Sequence, residues 1–381
     1  NTTVLLQSQV EKTLSDAAKA LLIVELGNFA LSGKKTDNSI VLSDGYMGKK
    51  NEKGKPSTGK SGPALGFMGF LHSFLTSNSI VASLYLNLLT LAQINSAPHL
   101  SSGVGLPPWV KMPTGESCPI AEELKKSYIG RLVPLSRFIL LKDEGLHYSE
   151  GIFYPNYDSG GFDLSIGLDF SASKTRACWV DSGKKPWRQL AALLSFLSNE
   201  KKGNFDCFQL RFGLSRVRGH IEKLGIWSGG LGVSSNAGEQ YASGTDDFVE
   251  SEFVIDSNWL GESWFLQLKT EMIILDDISK NIYGCTMGYF KQQLVEGKAQ
   301  AAQASNLFWQ LAEPQFQTLL EACGNNNAEK MRSEFVRIAH KAYNTFCHKE
   351  TARQLDAWAA NRPQLGKYLK STEPNNLQKG A

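Results

Sequence analysis

The sequence predicts an α+β protein: an irregular mixed domain with β-hairpins over residues 1–257, an antiparallel four-helix bundle over 258–370, and a disordered tail over 371–381. Three observations carry this. From Trp259 onward, Leu260, Trp264, Leu268, Met272, Leu275, Ile278, Ile282, Cys285 and Tyr289 recur every three or four residues, which is one face of a long helix. Between Arg137 and Ile255, short apolar runs are separated by clusters of Gly, Ser and Asn, the pattern of strands and turns. Residues 33–62 are rich in Gly, Lys, Ser, Asn and Asp, and offer only Ile40, Val41, Leu42, Tyr46 and Met47 for burial, the composition of a long basic loop.

Taken in order, Ser15 and Asp16 can cap a first helix over residues 17–31 (AAKALLIVELGNFAL), which Gly33 ends. After the basic loop, residues 80–94 (IVASLYLNLLTLAQI) read as one buried helix, followed by the Pro-rich connector LPPWVKMP. A first hairpin pairs 137–142 (RFILLK) with 151–154 (GIFY) around DEGLHYSE. Residues 187–197 (WRQLAALLSFL) form a helix with Pro186 at its first turn. A second hairpin runs from 224–227 to 248–255, and its long Gly/Ser/Asn-rich linker is expected to protrude. In the bundle, the later helices cover 300–323, with a restart at Pro314, then 327–346 and 351–370. Gly324 closes the second, and Thr351 with Gln354 makes a capping box for the last.

Composition narrows the function. A chain of 381 residues, 42% hydrophobic and 20% charged, is neither fibrous nor disordered and can hold two domains. The six cysteines (Cys118, Cys178, Cys207, Cys285, Cys323 and Cys347) include no C-x-x-C pair and no Cys/His cluster at zinc-ligand spacing, which argues for a reducing cytoplasm and against a structural metal. The apolar run at 80–94 carries Ser83, Asn87, Thr90 and Gln93 and falls short of the roughly 20 residues of a bilayer crossing, so no membrane association is expected. The chain opens at Asn1 inside a helical pattern, so a natural N-terminal portion is expected to be missing; no signal peptide is visible. The net charge of +3 does not mark a nucleic-acid binder by itself, but between Lys34 and Lys60 seven lysines face only Asp37, Asp44 and Glu52.

The most pointed motif is GKPSTGKSG at 54–62, which matches the phosphate-binding pattern G-x-x-x-x-G-K-[ST] with Lys60 and Ser61 in the key places. A working P-loop leaves a buried strand and enters a helix. Here GKKNEK precedes it, with no apolar strand. Met272 to Asp277 (MIILDD) resembles the apolar strand and acidic end of a Walker B segment, yet it sits within the helical period of Leu268, Met272 and Leu275, which puts Asp276 and Asp277 on the solvent side. There is no G-x-S-x-G elbow and no H-E-x-x-H, and the histidines are dispersed, so no catalytic residue is assigned. A flexible loop of lysines, glycines and hydroxyls also suits a nucleic-acid backbone: lysines neutralise phosphates, glycines allow close approach, and Ser57, Thr58 and Ser61 can donate to phosphate oxygens. Arg216 and Arg218, within RFGLSRVRGHIEK, are possible backbone contacts, or equally a solvated face.

The order of pieces is distinctive: GKSGPALGF, SLYLNLLTL, PPWVK, YIGRLVPLSRFILL, the hairpin WSGGLGVSSNAG, and HKETARQLDAWA near the end. This order resembles the CasA family, the large subunit of the type I-E CRISPR complex Cascade, over about residues 17–369. The resemblance implies a non-enzymatic DNA reader without cofactor or metal. Its implied partners are double-stranded target DNA, crRNA and other Cascade subunits, and a helicase-nuclease. It would recognise the protospacer-adjacent motif and start unwinding there, while guide pairing reads the remaining sequence.

The resemblance also implies three elements. The glycine loop falls within residues 33–62, with Gly33, Lys34, Lys35, Lys49, Lys50, Lys53, Lys55, Lys60, Ser61 and Gly62 as candidates. The minor-groove lysine falls nearest to Lys142, although the DEGLHYSEG that follows holds no lysine. The wedge maps onto Ser234, Ser235, Asn236, Ala237 and Gly238. Two alternatives stay open: a P-loop NTPase using Lys60, Ser61 and Asp276, and a non-catalytic helical scaffold.

Overall fold

The computed structural model describes residues 13–28, 38–42, 46–47, 69–143, 145–154, 163–181, 183–198, 204–217, 221–232 and 247–369. The first helix, α1 (Asp16–Asn28), opens where expected, because the Ser15 hydroxyl accepts the Ala18 N–H at 3.3 Å. A single turn, α2 (Asn38–Val41), follows. Strand β1 (His72–Thr76) leads through the N-cap Ser79 into α3 (Ile80–Asn87). There the expected single helix over 80–94 is broken. Thr90 and Gln93 make a reciprocal capping box that starts a second helix, α4 (Leu91–Ser96), and Leu88 between them is extended.

A break in a helix frees backbone groups that need partners. Here four of the bonds come from distant side chains. Arg216 donates Nη1–H to the carbonyls of Tyr85 (2.7 Å) and Leu88, Gln209 donates to the carbonyl of Asn87, and the Leu89 N–H donates to the Tyr128 hydroxyl at 3.2 Å. Burial in the segment is also less than expected: Leu86 is fully buried, whereas Ile80, Val81, Leu84 and Tyr85 are exposed.

Helices α5 (Pro119–Lys126) and α6 (Tyr128–Leu132) begin at Cys118 and Ser127, each of which accepts a first-turn N–H. Strand β2 (Arg137–Lys142) pairs antiparallel with β3 (Gly145–Glu150), in register from Arg137 opposite Glu150 to Lys142 opposite Gly145. The hairpin is therefore tighter than expected, since HYS, which looked like turn, lies inside a strand. Gly151 and Ile152 continue the pairing one step earlier in the chain, donating to the carbonyls of Ser136 and Leu135 at 3.0 and 2.8 Å. A Cβ on Gly151 would sit 2.2 Å from the Leu135 oxygen, so only glycine fits.

Strands β4 (Leu168–Asp169), β5 (Arg176–Ala177) and, later in the chain, β6 (Phe205–Asp206) form a small antiparallel sheet in the order β5–β4–β6. The helix expected over 187–197 is a 3₁₀ turn at Pro186–Gln189, one α turn, α7 (Leu190–Leu193), and a second 3₁₀ turn at Ser195–Leu197. Helix α8 (Phe208–Leu214) precedes β7 (Lys223–Gly232) and β8 (Asp247–Asp256), which complete a sheet ordered β1–β7–β8. Both strands of the second hairpin are longer than expected, and Gly229 and Gly230 belong to the strand rather than to its turn.

The chain divides into two compact units, one of residues 1–196 with 203–252 and one of 197–202 with 253–381. In the second, the 31-residue helix α9 (Glu262–Gln292) is the spine, and its face of Trp264, Leu268, Met272, Leu275, Ile278, Ile282 and Tyr289 is buried as the periodicity predicts. Each such aliphatic or aromatic side chain contributes about 1.5–3 kcal/mol by leaving water. On α9 pack α10 (Lys298–Ala312), α11 (Phe316–Gly324), α12 (Arg332–Phe346) and α13 (Ala352–Ala360), so the described residues of this region hold five α-helices where four were expected. Pro314 makes the difference, dividing α10 from α11 by a 3₁₀ turn. Gly324 ends α11 as expected, but Asn326, at φ 53°, takes the left-handed position. Between α9 and α12, Arg332 grips Glu271 with Nε at 3.0 and 3.1 Å and Nη2 at 2.6 Å, both side chains almost wholly buried.

Candidate nucleic-acid interface

The basic loop is tied down at two described places inside it. Val41, Leu42 and Tyr46 pack on a core of Ala121, Leu124, Phe138, Ile152 and Tyr154, with the Tyr46 ring edge-on to Phe138 at 5.1 Å. Met47 bridges the chain at Gly115: its N–H donates to Thr114 and its carbonyl accepts from Glu116, at 3.0 and 2.9 Å. Of the five apolar residues that the sequence offered for burial, Val41, Leu42 and Tyr46 pack inward and anchor the segment to α5 and the β2–β3 hairpin, whereas the side chains of Ile40 and Met47 are exposed. Gly33, Lys34, Lys35, Lys49, Lys50, Lys53, Lys55, Lys60, Ser61 and Gly62 lie outside the described residues, and with them the whole G-x-x-x-x-G-K-S pattern.

Lys142 is the last residue of β2 and is exposed at the hairpin tip. The carbonyls of Lys142 and Asp143 lie 3.4 and 3.5 Å from Nζ of Lys19 on α1, so two lysines meet at this tip. Lys19 is also 3.5 Å from Asp16, and Asp143 is exposed beside Lys142. The tip therefore mixes charges of both signs, and of its two described lysines it is Lys142 that presents its cation to solvent.

The second hairpin has a rigid described stem. Phe74 on β1 lies opposite Trp227 on β7 and stacks on it at 4.7 Å, and Trp227 stacks in turn on Phe248 of β8 at 6.5 Å. Trp227 Nε1 donates to Glu250 at 2.8 Å. Gly230 is required by packing, since a Cβ there would come within 2.2 Å of the Phe70 carbonyl oxygen. The wedge candidates Ser234, Ser235, Asn236, Ala237 and Gly238 lie outside the described residues, between Gly232 and Asp247.

Of the arginine pair, Arg218 lies outside the described residues. Arg216 faces inward: besides the carbonyls of Tyr85 and Leu88 it donates Nε–H to Phe212 O at 3.1 Å, its plane lies 5.8 Å from the Tyr85 ring, and burial lowers its pKa. Arg211 is likewise engaged, with Asp206 at 3.1 Å and over the rings of Phe208 and Phe212. Sequence reasoning missed this clamp on the α3–α4 break. The T-x-x-Q box at Thr90 was its available signal.

The Walker B likeness at MIILDD dissolves, as its helical period requires. All six residues lie within α9, Leu275 is buried, and the half-exposed Asp276 and exposed Asp277 lie 2.6 and 4.0 Å from Lys280, one turn on.

The profile of the family described as CRISPR-associated protein Cse1 matches residues 1–346. The chain belongs to the Cse1 family. Its fold is shared with CasA of Thermus thermophilus, at TM-score 0.66 and 16% identity over 96% of this chain and 74% of that one. Thermobifida fusca Cse1 is similar at TM-score 0.69 and 14% identity, over 93% of this chain and 71% of that one. A chain of a CRISPR RNA-guided surveillance complex is similar at TM-score 0.59 and 12% identity, over 93% and 69%. At these identities the likeness is one of fold. No curated protein matches the chain by sequence. Cse1 membership and the shared fold together support a Cascade large subunit.

Proposed function

We propose that this Cse1-family chain recognises the protospacer-adjacent motif in double-stranded DNA, begins to open the duplex for pairing with crRNA, and offers the helicase-nuclease a place to dock. It does so as part of a complex with other Cascade subunits and without catalysing a reaction. The observation that carries the reading is the family match over residues 1–346. The arrangement of the first unit agrees with it: the two anchor points within the basic loop, the exposed Lys142 and the β7–β8 stem as far as Glu252 belong to one compact body.

In mechanism, Lys34, Lys35, Lys49, Lys50, Lys53, Lys55 and Lys60 supply salt-sensitive attraction to phosphates, and Ser61 adds a hydroxyl donor. Gly33 and Gly62 let the main chain approach the minor groove, and Lys142 reaches into it. Ser234, Ser235, Asn236, Ala237 and Gly238, carried on the aromatic-braced β7–β8 stem, part the strands. Unstacking costs about a few kcal/mol per step, which the backbone contacts offset. Arg218 is the arginine of its pair left for a phosphate, because Arg216 turns Nε and Nη1 to carbonyls and buries Nη2.

The competing reading, a P-loop NTPase, has the pattern at 54–61 but loses Asp276 as a magnesium ligand, because that residue sits on a helix and pairs with Lys280. Binding of a labelled duplex and of ATP-magnesium to wild type and Lys60→Ala separates the two. Duplex binding weakened by the substitution, with no ATP binding in either protein, is expected. An ATP affinity abolished by Lys60→Ala would overturn the DNA reading in favour of the NTPase.

A further inference from the structure

We infer that the outer face of α3 and the groove beside it form a docking surface for an apolar, uncharged segment of a neighbouring protein subunit; this rests on the reading of the chain as part of a multisubunit complex. Residues 61–110 contain no Asp, Glu, Lys or Arg. In a chain that is 20% charged, a stretch of that length would carry about ten such residues. Helix α3 lies within this stretch and is apolar on both sides. Leu86 faces the core, while Ile80, Val81, Leu84, Tyr85 and Leu88, spaced one and four apart, point outward, Ile80 81% and Val81 77% exposed. A helix that is apolar both toward the core and away from it is normally covered on both sides.

Beside this face lies a groove of about 350 Å³ bounded by Phe74, Thr76, Ile80, Ser83, Leu84 and Asn87. The polar groups of its wall have internal partners. Asn87 accepts the Leu75 N–H at 2.9 Å and donates to the Leu75 carbonyl at 2.5 Å, while the Ser77 N–H donates to the Ser83 hydroxyl at 3.0 Å. Asn87 thereby occupies the position that an added strand would take along β1, so the groove suits an inserted apolar side chain rather than a strand or a polar small molecule.

The charge pattern selects the occupant. A nucleic acid or an anionic membrane surface calls for lysines and arginines; α3 has none, and Arg216, 5.8 Å from the Tyr85 ring at its end, is turned to the chain's own carbonyls. The cores of protein–protein interfaces are poor in charge and rich in aromatic and aliphatic groups, which is what Tyr85, Phe74 and the aliphatic ridge supply. The partner surface is accordingly an uncharged helix or loop that seats one apolar side chain in the groove.

The test is reconstitution of the full chain with the other subunits and crRNA of its complex, followed by titration of the variant V81E/L84E and of Ile273→Glu, which adds a charge at an exposed apolar position of α9. Wild type and Ile273→Glu should join with equal affinity, and V81E/L84E at least tenfold more weakly, with the melting temperature of the isolated chain unchanged. Should the glutamates impair folding, I80S/L84S carries the same comparison. Assembly of the α3 variants equal to wild type overturns the inference. So does a dimer of the isolated chain that V81E/L84E disperses, which makes a second copy the occupant, or binding to neutral phosphatidylcholine vesicles that the variant abolishes. A wild-type chain that fails to join the complex overturns the proposed function, and this inference with it.

Discussion

The guanidinium of Arg216 donates to the carbonyl oxygen of Tyr85 at 2.7 Å, across 131 residues of sequence, and a second bond to Leu88 makes it the clamp on the break between α3 and α4. Arg216→Met removes these bonds and leaves carbonyls that only water can satisfy. Urea denaturation should show a loss of about 1.5–3 kcal/mol, the range for hydrogen bonds to a charged group. The salt dependence of duplex binding should be unchanged. Unaltered stability with a salt slope smaller by about one would instead make Arg216 a phosphate contact.

The Glu271–Arg332 pair gives a cycle with a clear sign. Replacing either residue takes from the other, almost wholly buried, its closest opposite charge, so Glu271→Gln and Arg332→Met should each cost about 3–5 kcal/mol. The double variant should cost less than either single one, because no charge is then stranded. Single losses that simply add would contradict the pairing.

Two glycine substitutions should move stability in opposite directions. In Gly230→Ala the new methyl falls 2.2 Å from the Phe70 carbonyl oxygen, so β7 must part from the backbone just before β1, at a cost of about 1–3 kcal/mol. In Gly284→Ala, within α9, the methyl meets nothing within 4 Å, and the helix gains about 0.5–1 kcal/mol. Thermal melting of the two variants reads the difference directly.

Much of the fold was legible because it is periodic. The buried face of α9, the caps at Ser15 and Thr351, and the second hairpin follow from spacing and cap chemistry local to the chain. What could not be read depended on distant partners. Nothing near residues 85–90 announces that Arg216, Gln209 and Tyr128 stand ready to satisfy a broken helix, so the apolar run looked continuous. The strand at 145–150 was hidden because His147 and Ser149 are polar, although pairing against β2 half-buries the first and fully buries the second. Of the candidate site, Lys142 ends the first strand of its hairpin as the sequence places it, whereas Arg216 looked like any basic surface residue until its bonds to distant carbonyls were seen.

The wedge has its own consequence. Replacing Ser235, Asn236 and Ala237 with glycine in the assembled complex should slow strand opening, followed with a fluorescent base analogue beside the motif, while duplex affinity falls little. Opening at the wild-type rate would remove these residues from the mechanism.

The central claim is that the basic loop holds duplex DNA by its phosphates. It is tested most directly by the salt dependence of duplex binding by the assembled complex, with wild type compared to a variant in which Lys49, Lys50, Lys53, Lys55 and Lys60 are alanine. Wild-type affinity should fall steeply from low to moderate salt, and the variant's slope on a log–log plot should be shallower by about 0.9 for each phosphate that the five lysines neutralise. A wild-type affinity indifferent to salt, or identical slopes and affinities in the two proteins, would contradict it.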